Sequence, residues 1–124
     1  MITFDDFKKV EIRAGKILSA EKIPATDKLL KLSVDFAEIK EIADPETNTT
    51  KFASFPRQIV SGISTYFPDP SALVGKTCMF VTNLEPRVIK GFESNGMILA
   101  VSTPEGGFSV LEPNSTIPPG TMAK

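Results

Sequence analysis

The sequence predicts an all-β domain folded as a five-stranded barrel, and three observations carry that expectation. Ten prolines and eight glycines punctuate the 124 residues and keep most runs between them short. Short runs favour strands over helices. Several of those runs alternate apolar and polar residues, the period of a half-buried strand. The length suits a single domain with one hydrophobic core, expected over residues 1–124.

Each element has its own warrant. Thr3–Phe7 reads as a helix start, with Thr3 as N-cap and Asp6 in the first turn, where a carboxylate suits the helix dipole. Val10–Leu18 alternates with one charged face and forms the first strand; Gly15 in its middle predicts a bulge or sharp coil. Pro24–Lys28 joins it to the second strand, Leu29–Phe36, where Leu30, Leu32, Val34 and Phe36 share a face. The stretch from about residue 38 to 55 differs in composition. Its polar turn Asp44–Thr50 predicts a protruding loop or extended hairpin inserted between strands two and three. Phe52 and Phe55 give it apolar surface for a clamp onto the barrel, a dimer contact or a partner. Arg57–Ile63 is the third strand, and Pro68–Gly75 is a helical turn closed by glycine. Lys76–Thr82 is the fourth strand, Asn83–Asn95 a loop, and Gly96–Val101 a fifth strand whose unbroken apolar run predicts burial on both faces. Phe108–Leu111 and a proline-rich tail form a C-terminal extension. Five strands with a helical turn before the fourth match the element order of an OB-fold, a Greek-key barrel with short helices.

Composition excludes several functions. The chain has no histidine and a single cysteine, Cys78. Imidazole-dependent triads, zinc sites and disulfides are therefore ruled out, and no carboxylate spacing suggests a metal site or a cofactor. Cys78 lies mid-strand and reads as an inert buried thiol. The apolar run Met97–Val101 is far too short to cross a membrane, and a cytoplasmic location is expected. The net charge of −1 means that any nucleic-acid role rests on a local basic patch.

Several segments in order resemble the tRNA-binding domain family. They are Asp5–Gly15, Asp27–Leu32, Arg57–Ile63, Pro70–Gly75, Asn83–Arg87 and Gly91–Met97. That family comprises domains of methionyl-tRNA synthetases, free-standing structure-specific tRNA-binding proteins, cytokine-like synthetase cofactors and CsaA-type export chaperones. The resemblance implies an OB-fold core, a homodimer, and non-catalytic binding of tRNA by shape, alone or as an auxiliary subunit of methionyl-tRNA synthetase. The alternative it carries is a CsaA-type chaperone holding unfolded polypeptide. Asp27-Lys28-Leu29 and Ser61-Gly62-Ile63 favour the synthetase type.

The candidate RNA-binding residues fall on those segments. Duplex RNA is recognised mainly through phosphates and 2′-hydroxyls. Lys28, Arg57, Arg87 and Lys90 supply cationic donors, and Ser61, Asn83 and Ser94 neutral ones. Phe92 and Met97 supply surface for a base or sugar. Each has a second use: Asn83 as a turn residue, Phe92 as a loop anchor, Met97 as partial core. The apolar residues of Phe108–Leu111 could pair across a twofold axis or cover the barrel's open end within one chain.

Overall fold

A computed structural model describes residues 1–124. The short helix α1 (Phe4–Phe7) begins where the capping residues place it. The Thr3 hydroxyl accepts from the Asp6 amide, and the Asp6 carboxylate accepts from the Thr3 amide, each at 3.1 Å.

Five antiparallel strands make the central sheet: β1 (Ile12–Lys22), β2 (Leu30–Asp35), β5 (Arg57–Ser61), β6 (Thr77–Val81) and β9 (Met97–Ile98). Their order is β5-β2-β1-β6-β9. The two edges then meet. The Asn95 amide donates to the Gln58 carbonyl at 2.9 Å, and the Val60 amide donates to Ser94 Oγ at 3.0 Å. This nearly closed arrangement is the OB-like, all-β barrel that the element order predicts.

The period-two pattern decides what lies inside. Leu30, Leu32, Val34 and Phe36 are buried, with Ile17, Ile59, Leu73, Cys78 and Phe80 around them. The Phe36 and Phe80 rings meet edge to face at 5.2 Å. Gly15 serves this packing and carries no bulge. A Cβ there would stand 2.5 Å from Phe36 Cε1 and 2.6 Å from Val34 Cγ1. The irregularity in β1 falls instead between Ile17 and Ser19, where its pairing with β2 shifts register.

The stretch after β2 is an extended hairpin, β3 (Ile39–Asp44) and β4 (Thr49–Ser54), with no buried residue. Phe52 is exposed and does not clamp the arm to the barrel. Between β6 and β9 the expected loop contains a second hairpin, β7 (Arg87–Ile89) and β8 (Phe92–Ser94). The expected fifth strand is also shorter. β9 ends at Ile98, and β10 (Ala100–Ser102) leaves the barrel to pair with β11 (Phe108–Val110). Only Ile98 of that run is buried, and Met97 and Val101 are exposed, so burial on both faces is corrected to burial of one side chain. The apolar run is continuous because the chain changes partners within it.

Phe108 stacks on Tyr66 at 3.9 Å and meets Phe67 edge-on at 5.9 Å, which covers the barrel within one chain. The tail follows β1, with the Gly120 amide donating to the Ala14 carbonyl at 2.7 Å and the Ala123 amide to the Ile12 carbonyl at 2.8 Å. No helix is long and apolar enough to cross a membrane.

Candidate nucleic-acid interface

The alternation that buries Leu30, Leu32 and Val34 turns Lys31 and Ser33 outward on β2. Lys31 pairs across to Val60, and Ser33 to Gln58, on β5. The β7–β8 hairpin folds over this face. The Gln58 side chain donates to the Glu93 carbonyl at 3.0 Å, and Lys31 Nζ lies 5.0 Å from the centre of the Phe92 ring. Glu21 Oε2 lies 3.5 Å from the same ammonium.

Lys90 and Gly91 form the hairpin's two-residue turn with φ of 50° and 84°. Positive φ at both central positions suits the twist of a tight hairpin, and glycine takes the second without strain. Lys90 thereby stands exposed at the tip, and Arg87 is exposed at the base opposite Ser94. Lys28 is exposed in the β1–β2 connection, and its carbonyl accepts from the Ser64 amide at 2.9 Å. Ser61 pairs with Leu30 at that same end of the sheet. Met97 is half exposed beside Arg87 in a small recess of about 70 Å³. The structure thus groups Lys28, Arg87, Lys90, Phe92 and Met97 around the outer face of β2 and β5, whereas Ser61, half-buried opposite the buried Leu30, lies in register with the inner face. Lys31 sits among the outer group. Its outward position was readable from the alternation Leu30-Lys31-Leu32.

The three remaining candidates are held by the fold's own hydrogen bonds. Ser94 is buried, and its hydroxyl accepts from the Val60 amide and lies 3.0 Å from the Gly96 carbonyl. Asn83 ties the N-terminal segment to the end of β6. Its Oδ1 accepts from the Glu11 amide at 2.8 Å, and its Nδ2 donates to the Lys9 carbonyl at 2.6 Å.

Arg57 lies at the far end of β5, where the arm leaves the barrel. Its guanidinium clasps Glu38 with two parallel bonds, Nε to Oε1 at 2.7 Å and Nη2 to Oε2 at 2.9 Å. Nη1 donates to the carbonyls of Thr82 at 2.6 Å and Asn95 at 3.2 Å. Arg13 Nη2 reaches the same Glu38 Oε2 at 3.4 Å. The Arg57 hydrogen bond holds the Glu38 carboxyl below its usual 4.5, against a counteracting effect of burial. Nothing in the sequence pairs Glu38 with an arginine 19 residues on. A cleft of about 610 Å³ opens on this fork, lined by Phe55, Gln58, Leu84 and Glu93 among others.

Cys78 is fully buried, and desolvation pushes its thiol up to about 11. That excludes a thiolate nucleophile at neutral pH.

Comparison with known proteins places this geometry in context. The family described as "Putative tRNA binding domain" matches residues 12–122. Methionine--tRNA ligase of Methanoregula boonei is 46% identical over 124 residues, and that of Enterococcus faecalis is 38% identical over 119 residues. The match covers 100% and 96% of this chain respectively, and the chain spans 16% of each ligase. Among solved structures, a MetRS related protein from Pyrococcus horikoshii is 33% identical with a TM-score of 0.79, covering 100% of this chain and 98% of that one. The chaperone CsaA from Bacillus anthracis is 26% identical with a TM-score of 0.75, covering 100% of this chain and 99% of that one.

Proposed function

The chain belongs to the tRNA-binding domain family, and from that membership we propose that it binds folded tRNA without catalysing a reaction on it. The observation that carries this reading is the cluster of Lys28, Lys31, Arg87 and Lys90 around the outer face of β2 and β5, with Phe92 beside Lys31. The cations meet phosphates. Phe92 and Met97 offer apolar surface to an unpaired base or sugar. Ser94 and Asn83 act through the fold, by fixing the β8–β9 corner and the N-terminal segment. The net charge of −1 makes the affinity moderate and strongly salt-dependent. Moderate affinity suits a module that raises the local tRNA concentration for an enzyme, and the ligase relatives point to a methionyl-tRNA synthetase, joined or docked, in the cytoplasm.

A titration of the purified protein with bulk tRNA at two salt concentrations tests the reading, with unstructured RNA and an unfolded peptide as competitors. Salt-sensitive binding displaced only by folded tRNA supports it. Retention of the peptide without tRNA binding would move the chain to the chaperone branch, the reading favoured by its likeness to CsaA.

The homodimer implied by the family resemblance finds its best support near α1. Phe108 is used inside the chain, whereas Ile2, Phe4, Phe7, Val10 and Met122 are exposed apolar residues at the N-terminus and tail. Phe7→Glu should leave a monomer by sedimentation, and an unchanged mass would remove this surface from consideration.

A further inference from the structure

We propose that Arg13 and Arg57 form a seat for an RNA phosphodiester, which Glu38 occupies in the free protein, so that RNA reaching this end of the barrel displaces Glu38 and swings the β3–β4 arm aside. The proposal rests on the tRNA-binding reading and adds a contact and a motion to it.

The geometry is that of an anion site. Two guanidiniums converge on one carboxylate, at 2.7 and 2.9 Å from Arg57 and 3.4 Å from Arg13. Both lie over the buried Phe36 ring, at 5.3 and 5.5 Å from its centre. Arg57 Nη1 is held by the Thr82 and Asn95 carbonyls, and Arg13 Nε by Thr82 and Glu11. The fork is therefore aimed before any ligand arrives. A guanidinium accepts carboxylate and phosphate in the same bidentate geometry. Exchanging one for the other keeps the charge pairing and returns Glu38 to water.

The route is open on one side. The cleft of about 610 Å³ runs along Arg57 between the arm's root and the segment from Leu84 to Pro86. Little resists the arm's movement. Neither of its strands has a buried residue, and at its root the Phe55 amide bonds to the Glu38 carbonyl within the arm itself. The Glu38 carboxylate is the side-chain tie from this root to the barrel arginines. A release of Glu38 is thus a release of the arm.

The test compares tRNA binding by the parent, Glu38→Gln and Glu46→Gln across a salt series, with folding checked by melting. Glu46 lies in the arm's exposed turn and controls for the change in net charge. Glu38→Gln should bind several-fold more tightly at low salt, with a salt slope steeper by about one unit for each arginine freed. Glu46→Gln should match the parent. A parent that binds tRNA while Glu38→Gln keeps its slope and affinity overturns this proposal alone. A parent that retains no tRNA overturns the tRNA reading and this proposal with it.

Should Glu38→Gln fail to fold, the parental fork can be followed directly. Spin labels on cysteines introduced at Asn48 and Ser115 report the arm's distance from the tail, the native Cys78 being buried. That distance should change when tRNA is added, and an unchanged distribution in saturated complex refutes the displacement.

Discussion

Ser94→Ala separates a residue that shapes the interface from one that touches RNA. The hydroxyl lies between the Val60 amide and the Gly96 carbonyl, each at 3.0 Å. Val60 and Ser94 are each 5% exposed, so water has little access to replace what is lost. An unpaired buried amide costs about 1–3 kcal/mol, and the bond to Gly96 adds about 1 kcal/mol. The central expectation is a loss of about 2 kcal/mol. For a domain of this length that lowers Tm by roughly 8 °C. Urea unfolding should show the same loss as a shift of the midpoint at unchanged m value. The fraction that remains folded should bind tRNA with the parental salt slope, because a neutral hydroxyl neutralises no phosphate. A loss under about 0.5 kcal/mol would refute the closure argument. So would weakened tRNA binding at parental stability.

Three further outcomes follow from the same geometry. Gly15→Ala should cost about 2 kcal/mol by overpacking, since its Cβ would enter the space of Phe36 and Val34; a variant as stable as the parent in urea would contradict the contact. Lys31→Ala and Arg87→Ala should each flatten the salt dependence of tRNA binding by about one unit, and a parental slope in either would remove that side chain from the phosphate contacts. The Arg57 bond depresses the Glu38 pKa, so its stabilisation is complete above the usual value of 4.5 and is lost as pH falls through the lower folded value. Melting temperatures of Glu38→Gln should therefore fall less steeply below that pH than those of the parent, and parallel curves would speak against the ion pair.

The chain's local grammar carried most of the architecture. Alternation at Leu30, Leu32, Val34 and Phe36 located the core face, and Thr3 with Asp6 located the helix start. These signals work because a strand's two faces and a helix's first turn are set by neighbours a few residues away. The β7–β8 hairpin was less legible, although Lys90-Gly91 is a turn pair, because its three-residue strands are too short to display a period. The same locality misled at Gly96–Val101, where an even apolar run hid a change of pairing partner.

The sequence by itself determined the all-β class, the barrel's inner face, the absence of imidazole and thiolate chemistry, and Lys28, Arg87 and Lys90 as outward cations. Tertiary structure alone decided which candidates remain free. Asn83 finds Lys9 across 74 residues, Ser94 finds Val60 across 34, and Arg57 finds Glu38 across 19. A polar side chain is claimed by whichever partner the fold brings within about 3 Å, and that proximity is a property of the closed barrel that no run of neighbouring residues encodes.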